Sequence, residues 1–458
     1  MKALLIDFGS TYTKVALFSL KPPGLIGVSQ APTTVESDLM EGLKAALASF
    51  SAAQLEGITF RRACSSAAGG LGIVAVGLVP ELTVKAAREA ALGAGARVLA
   101  AYAYTLSSAE LAEINSLKPD LILLAGGTDG GNRQVILENA AAIAAAGLDL
   151  PVVVAGNKSA ADEAAAILKG KVPRVVVTGN VMPGVNRLQV EPAREAIRGL
   201  YLSEITRAKG LDRIQQQVGL VMPTPLAVMK AGELYRKVTG KDTIIIDMGG
   251  ATTDIHSFAD GRPRSGGRIV KGPPEPLTKR TVEGDLGMRV SLPALLEVIS
   301  PEELAGSLPF AAEVSEVIAY AQRAALSRSL LPGNERERAL DGAIAAAAIR
   351  EAMRRHAGSL TETYTPEGRL WVQQGKDLTG TAAVIATGGI LVHSEDPGEL
   401  LRAGLTQDDP LVLTPRSPQL FLDRSYILAS VGLLAVSRPE AAQVILEETL
   451  QPWGGMAG

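Results

Sequence analysis

The chain has 458 residues, 47% hydrophobic and 20% charged, and its 45 basic against 48 acidic side chains leave a net charge of −3. That balance offers no concentrated basic surface to DNA or RNA, and 4% aromatic content offers no stacking platform for single strands. A single cysteine, Cys64, excludes a disulfide framework or thiolate cluster, and His256, His356 and His393 are too scattered for a histidine-based metal centre.

The length predicts two to four compact units. Met1 and Lys2 are followed by an apolar run that Asp7 ends, too short for a signal peptide, and no run reaches the roughly 20 apolar residues that span a bilayer. The expectation is a soluble, cytoplasmic protein with neither nucleic acid nor membrane as partner. The pattern opens with three strands in a meander, Lys2–Asp7, Lys14–Leu20 and Gly24–Gln30. A helix over about Asp38–Phe50 follows, with Asp38 as its N-cap.

From about 60 to 180 the rhythm changes. Apolar runs at Gly72–Val79, Arg97–Tyr102, Asp120–Ala125, Pro151–Ala155 and Arg174–Thr178 alternate with Ala-rich helical patterns. Parallel strands covered on both faces read this way, so the segment predicts a doubly wound parallel α/β insert. Helices are expected at Pro192–Lys209 and Pro225–Val238, then strands at Thr243–Asp247 and Thr253–Phe258. Residues 261–280, rich in Gly, Pro, Arg and Lys, read as a surface excursion, and helical patterns fill much of 293–357. A late strand, Ala382–Ala386, and a helix over Tyr426–Val436 precede an end frayed from Trp453 onward. The expected division is 1–59, 60–180 (the insert), 181–241 (helices completing the first domain) and 242–458.

Two segments resemble each other. Ile6-Asp7-Phe8-Gly9-Ser10-Thr11-Tyr12-Thr13-Lys14 ends the first strand, and Ile246-Asp247-Met248-Gly249-Gly250-Ala251-Thr252-Thr253-Asp254 ends a later one. A carboxylate at a strand tip can hold a hydrated magnesium ion beside substrate phosphates. Glycines let the turn approach an anion, and its N–H groups and hydroxyls can bind phosphate oxygens. One such string alone is more readily a β-hairpin with a polar turn. Two copies, and a third glycine turn at Thr387-Gly388-Gly389 after a strand, make a specific pattern.

Together the three resemble the phosphate-one, phosphate-two and adenosine motifs of the superfamily of actin, sugar and acetate kinases and heat-shock chaperone ATPases. The resemblance implies two ribonuclease-H-like domains closing on ATP and Mg2+. A closer resemblance covers nearly the whole chain. The strings Leu121–Asn132, Asn180-Val-Met-Pro183, Asp247–Asp254 and Arg280–Gly287 look like the MutL/GlmL family, encoded beside adenosylcobalamin-dependent glutamate mutase and related aminomutases, and unrelated to the mismatch-repair protein sharing the letters. It implies an ATP-dependent reactivating chaperone whose partner is the mutase, and leaves the oligomeric state open.

Carried over residue by residue, the resemblance implies that Asp7 and Asp247 hold magnesium. Gly9, Ser10, Thr11, Lys14, Gly249, Gly250, Thr252 and Thr253 hold phosphates, while Thr387, Gly388 and Gly389 contact the nucleoside. Asp254, or alternatively Asp247, orients or deprotonates the attacking water. The same motifs suit a small-molecule kinase, which needs an acceptor pocket, or a nucleotide-dependent assembly or scaffold protein. Gly126–Asn132 reads as a glycine-rich turn or an anion site at the insert's sheet edge. Asp254-Ile-His256-Ser-Phe-Ala259 approaches a cobalt-ligating pattern, but Ala259 stands where that pattern has glycine. Glu283–Gly287 reads equally as a helix-entry turn or a nucleotide-sensing loop, Cys64 as a small buried side chain, and Arg350, Arg354, Arg355 and His356 as a solvated helical face.

Overall fold

The computed structural model describes all residues except 35–37, 68–70, 206–211, 220, 328–329, 367 and 454–458. The chain forms two units, one of Met1–Lys230 with Gly272–Pro276 and Gly432–Ser437, the other of Ala231–Lys271, Leu277–Val431 and Arg438–Gly458. In the first, β1 (Lys2–Phe8), β2 (Tyr12–Leu20) and β3 (Pro23–Pro32) form an antiparallel meander, and Asp38 caps the Leu39–Leu47 helix through Met40 N–H. β4 (Ile58–Ser65) lies parallel to β1. This strand straddles the expected boundary at 59/60; its alternating, partly exposed half, Ile58–Arg62, hid it.

The insert proper is β5 (Gly72–Gly77), β6 (Arg97–Ala103), β7 (Leu121–Leu124), β8 (Val152–Val154) and β9 (Val175–Val177), all parallel, in the order β6-β5-β7-β8-β9. Its apolar runs are continuous because alternate residues serve two cores. Ile73, Ala75, Leu121, Leu123 and Val153 join the core shared with β1 and β2, while Val74, Val76, Ile122, Leu124 and Val152 form a second. The expected Pro192–Lys209 helix spans Glu191–Leu200, followed by a wider π-type turn to Ile205; its last residues, 206–209, lie outside the described ones. The chain then returns as β10 (Val221–Pro223), parallel to β4, giving the sheet order β3-β2-β1-β4-β10.

The second unit repeats that plan. β11 (Thr243–Met248) and β12 (Thr253–Phe258) form a hairpin; β13 (Arg268–Lys271) belongs to a separate small sheet and β14 (Thr278–Glu283) pairs with β12. The 261–280 excursion is therefore partly strand, and its end is buried: Lys279 is 8% and Arg280 2% exposed. Charge misled the sequence reading, since both cations face partners inside the protein. After four helices, β15 (Ser359–Thr365) and β16 (Gly368–Gln374) complete the small sheet. β17 (Ala383–Thr387) and β18 (Gln419–Leu422) extend β11 in parallel, and β19 (Gln451–Pro452) closes the edge. The order β14-β12-β11-β17-β18 matches β3-β2-β1-β4-β10 strand for strand in direction. The fold is thus two ribonuclease-H-like sheets with a doubly wound parallel insert in the first. The expected Tyr426–Val436 helix runs Leu428–Ala435. Trp453 is anchored, its N–H donating to Leu420 O, while the rest of the expected frayed end lies outside the described residues.

Candidate functional site

In the first unit Asp7 sits one residue before the end of β1, opposite Lys14 on β2 and Cys64 on β4. The carboxylate is 4% exposed. Lys14 Nζ donates to its Oδ2 at 3.3 Å, and the Thr224 hydroxyl donates to Oδ1 at 2.7 Å. The Cys64 thiol lies 3.5 Å from the same Oδ1; burial, then the Asp7 charge, push this thiol up and keep it protonated. The turn closes with Gly9 N–H donating to Tyr12 O at 3.1 Å. Ser10 is exposed and Thr11 half-buried, and their amides have no hydrogen-bond partner among the described residues.

In the second unit Asp247 occupies the corresponding place on β11, opposite Asp254 on β12 and Thr387 on β17. Two carboxylates at facing positions repel. Arg280 on β14 offsets this, its Nη2 reaching Asp254 Oδ2 at 3.2 Å with both groups buried. Gly249 N–H donates to Thr252 O at 2.9 Å, closing this turn like the first. Thr252 is half-buried, with no side-chain partner among the described residues. Thr253 is different: its buried hydroxyl donates to Leu286 O at 2.6 Å, which commits it to the protein and not to phosphate.

The third motif ends β17. The Thr387 hydroxyl, also buried, donates to Asp423 Oδ2 at 3.0 Å. Gly388 has φ 102°, and a Cβ there would lie 2.2 Å from Met248 O, so only glycine lets β17 leave the sheet beside β11. Gly389 begins a short helix.

Among the described residues no three His, Cys, Asp or Glu side chains gather as a metal cage. No described helix is long and apolar enough to cross a membrane.

The sequence profile of the family described as MutL protein matches residues 3–450. The chain belongs to the MutL family. It is 45% identical over 458 residues to Protein MutL of Clostridium tetanomorphum, covering 98% of each chain. Among solved structures, nucleotide-free acetone carboxylase covers 94% of this chain and 70% of its own, at 13% identity and TM-score 0.41. Component A of (R)-2-hydroxyglutaryl-CoA dehydratase from Acidaminococcus fermentans covers 98% and 99%, at 10% identity and TM-score 0.30. The fold rests on the strand orders above.

Three polar residues beside these turns escaped sequence reading. Thr224 follows a strand of only three residues, too short to announce itself. Arg280 lay at the end of a stretch read as surface. Asp423 caps the Leu428–Ala435 helix through Ile427 and Leu428 N–H, a signal that Asp before an apolar run could have given. His256 is fully buried on β12, with neither ring nitrogen bonded among the described residues. Burial, then Arg280, hold it well below 6.5, so it stays neutral. The presumed solvated face is only partly so. His356 is buried, bonded to Ser257 and Thr281, and Arg355 joins Glu283, Asp285 and Glu351.

The carbonyls of the Gly126–Asn132 turn are held by side chains from outside it. Asn157 donates to the carbonyls of Gly131 and Asn132, and Asn180 to Gly127 O and Asp129.

Proposed function

We propose that this chain binds and hydrolyses magnesium–ATP in the cytoplasm as the accessory, reactivating chaperone of an adenosylcobalamin-dependent glutamate mutase or related aminomutase. The observation that carries the reading is the duplicated hairpin, with Asp7 and Asp247 at the same register of sheets of the same order. Near full-length membership in the MutL family supports the mutase as partner.

Asp7 and Asp247 would hold the magnesium ion, which supplies charge neutralisation of the phosphates. Ser10, Thr11, Gly249, Gly250 and Thr252 offer turn amides and hydroxyls to phosphate oxygens, and Lys14 offers its charge. The adenosine would contact the turn at Gly388 and Gly389. Asp254, held by Arg280, is better suited to orient the attacking water than to take its proton. ATP and ADP states would differ in affinity for the mutase by about 5- to 150-fold, and by linkage the mutase alters nucleotide affinity by the same factor.

The test inactivates the cognate mutase by turnover and adds fresh adenosylcobalamin. Recovery is then compared with this protein plus ATP, with ADP, and with the Asp247→Asn variant. Recovery only with ATP and the wild-type chain is expected. Equal recovery in all three removes the reactivating role.

A further inference from the structure

The tip of the second hairpin presents three successive carbonyls, and one segment binds them all. Met288 N–H donates to Gly249 O at 3.1 Å, and Arg289 and Val290 N–H donate to Gly250 O at 2.8 and 2.9 Å. The Ser291 hydroxyl donates to Ala251 O at 2.7 Å. The approach is so close that a Cβ at Gly287 would stand 2.3 Å from the Ala251 carbonyl carbon. In a trans peptide the N–H points opposite to the C=O. Tying these carbonyls to 287–291 therefore turns the amides of Gly250, Ala251 and Thr252 the other way. Those of Gly250 and Ala251 have no hydrogen-bond partner among the described residues.

The bracing segment and the residues just before it are both tied to one helix, Glu335–His356. From within the segment, Arg289 Nη1 and Nη2 donate to the two oxygens of Asp341 at 3.1 and 2.8 Å, and Nε and Nη2 donate to Leu330 O. Asp341 is 1% exposed and also accepts from the Tyr320 hydroxyl at 2.7 Å. Just before the segment, Glu283 and Asp285 accept from Arg355, each at 2.8 Å, near the helix C-terminus. A buried pair of this kind resists loosening, because separating it leaves an uncompensated charge.

We propose that Arg289 and Asp341 are positioning residues for a phosphate-binding loop at Gly250–Thr252, and that through them the loop's occupancy is felt along the Glu335–His356 helix. This rests on the nucleotide reading given above. An anion drawn to the amides pulls on peptides whose other sides are bonded to the brace, and the brace moves only with the helix.

The test measures binding of a non-hydrolysable ATP analogue with magnesium, together with hydrogen exchange, in the wild type, Asp341→Asn, Arg289→Lys and Tyr320→Phe. Arg289→Lys keeps the charge but loses the fork, and Tyr320→Phe removes one hydroxyl, so both stay informative if Asp341→Asn does not fold. In the wild type, the analogue is expected to slow exchange in 286–291 and also in the helix around 337–345. In Arg289→Lys, binding is expected to weaken by about 5- to 150-fold and protection to stop at the loop. Wild-type affinity with unchanged spread of protection in folded Arg289→Lys overturns the proposal. A wild type that binds no nucleotide defeats the functional reading, and this proposal with it; binding with no spread into the helix defeats this proposal alone.

Discussion

The hairpin at Asp7 and the hairpin at Asp247 share strand order, register and closing hydrogen bond, yet each balances its carboxylate differently. Opposite Asp7 stands a cation on the same hairpin, Lys14; opposite Asp247 stands a second acid, Asp254, whose cation comes from the next strand as Arg280. On the parallel neighbour, Cys64 takes the place that Thr387 has in the second sheet. Among the described residues the first tip is bonded at one carbonyl, Thr11 O, by Thr33 N–H, whereas the second has three carbonyls held. Fold repetition fixes where the carboxylates go. It does not fix what neutralises them, because that depends on which side chains the flanking strands contribute.

The comparison breaks most sharply if the two aspartates are not equivalent in function. Asp7→Asn and Asp247→Asn each remove one charge without loss of volume. Each is expected to lower magnesium-dependent ATP turnover by about 100-fold or more, read by phosphate release. Turnover lost in one variant and intact in the other would place the metal on a single hairpin.

Next in size is the bracing of the second tip. Gly287→Ala forces a methyl group against Ala251 backbone and should cost about 1–3 kcal/mol in urea unfolding. Both tryptophans, Trp371 and Trp453, lie in the second unit, so their fluorescence reports it. An unchanged midpoint would mean that the tip does not depend on this segment.

Acid separates the units further. His256 and His356, both in the second unit, are held neutral, by burial first and then by Arg280 for one and Lys279 and Lys376 for the other. Their folded values are depressed, so below about pH 6.5 the unfolded chain takes up protons that the native chain refuses, and stability falls as pH falls. The slope is up to about 1.4 kcal/mol per pH unit for each histidine. Tryptophan-detected unfolding at pH 7.5, 6.5 and 5.5 should show it, and a flat profile would contradict the burial of both rings. Smallest is Cys64→Ser. A hydroxyl of similar size can donate to Asp7 as Thr224 does, and the expected change in stability is within about 1 kcal/mol, with ATP affinity unchanged.

Much of this was legible before the structure. Apolar strands ending in Asp, glycine turns and the parallel rhythm of the insert are local signals, written within ten or so residues by periodicity and turn chemistry. The strand β4 and the buried end of 261–280 were not, because half-exposed alternation and a run of cations resemble surface until a partner covers them. The pairing of Asp423 with Thr387 was not legible either, because the two lie 36 residues apart.

By itself, the sequence determined the doubled Asp-tipped hairpin, the insert and the family, since each depends on residues adjacent in the chain. Only the tertiary structure decided that Thr253 and Thr387 turn their hydroxyls inward. It also decided that Arg280 neutralises Asp254, and that Arg289 and Asp341 stand behind the second tip. Those pairings join residues 26 to 52 positions apart. A buried charge or hydroxyl must find a partner wherever the packed chain supplies one, and local sequence does not specify that place.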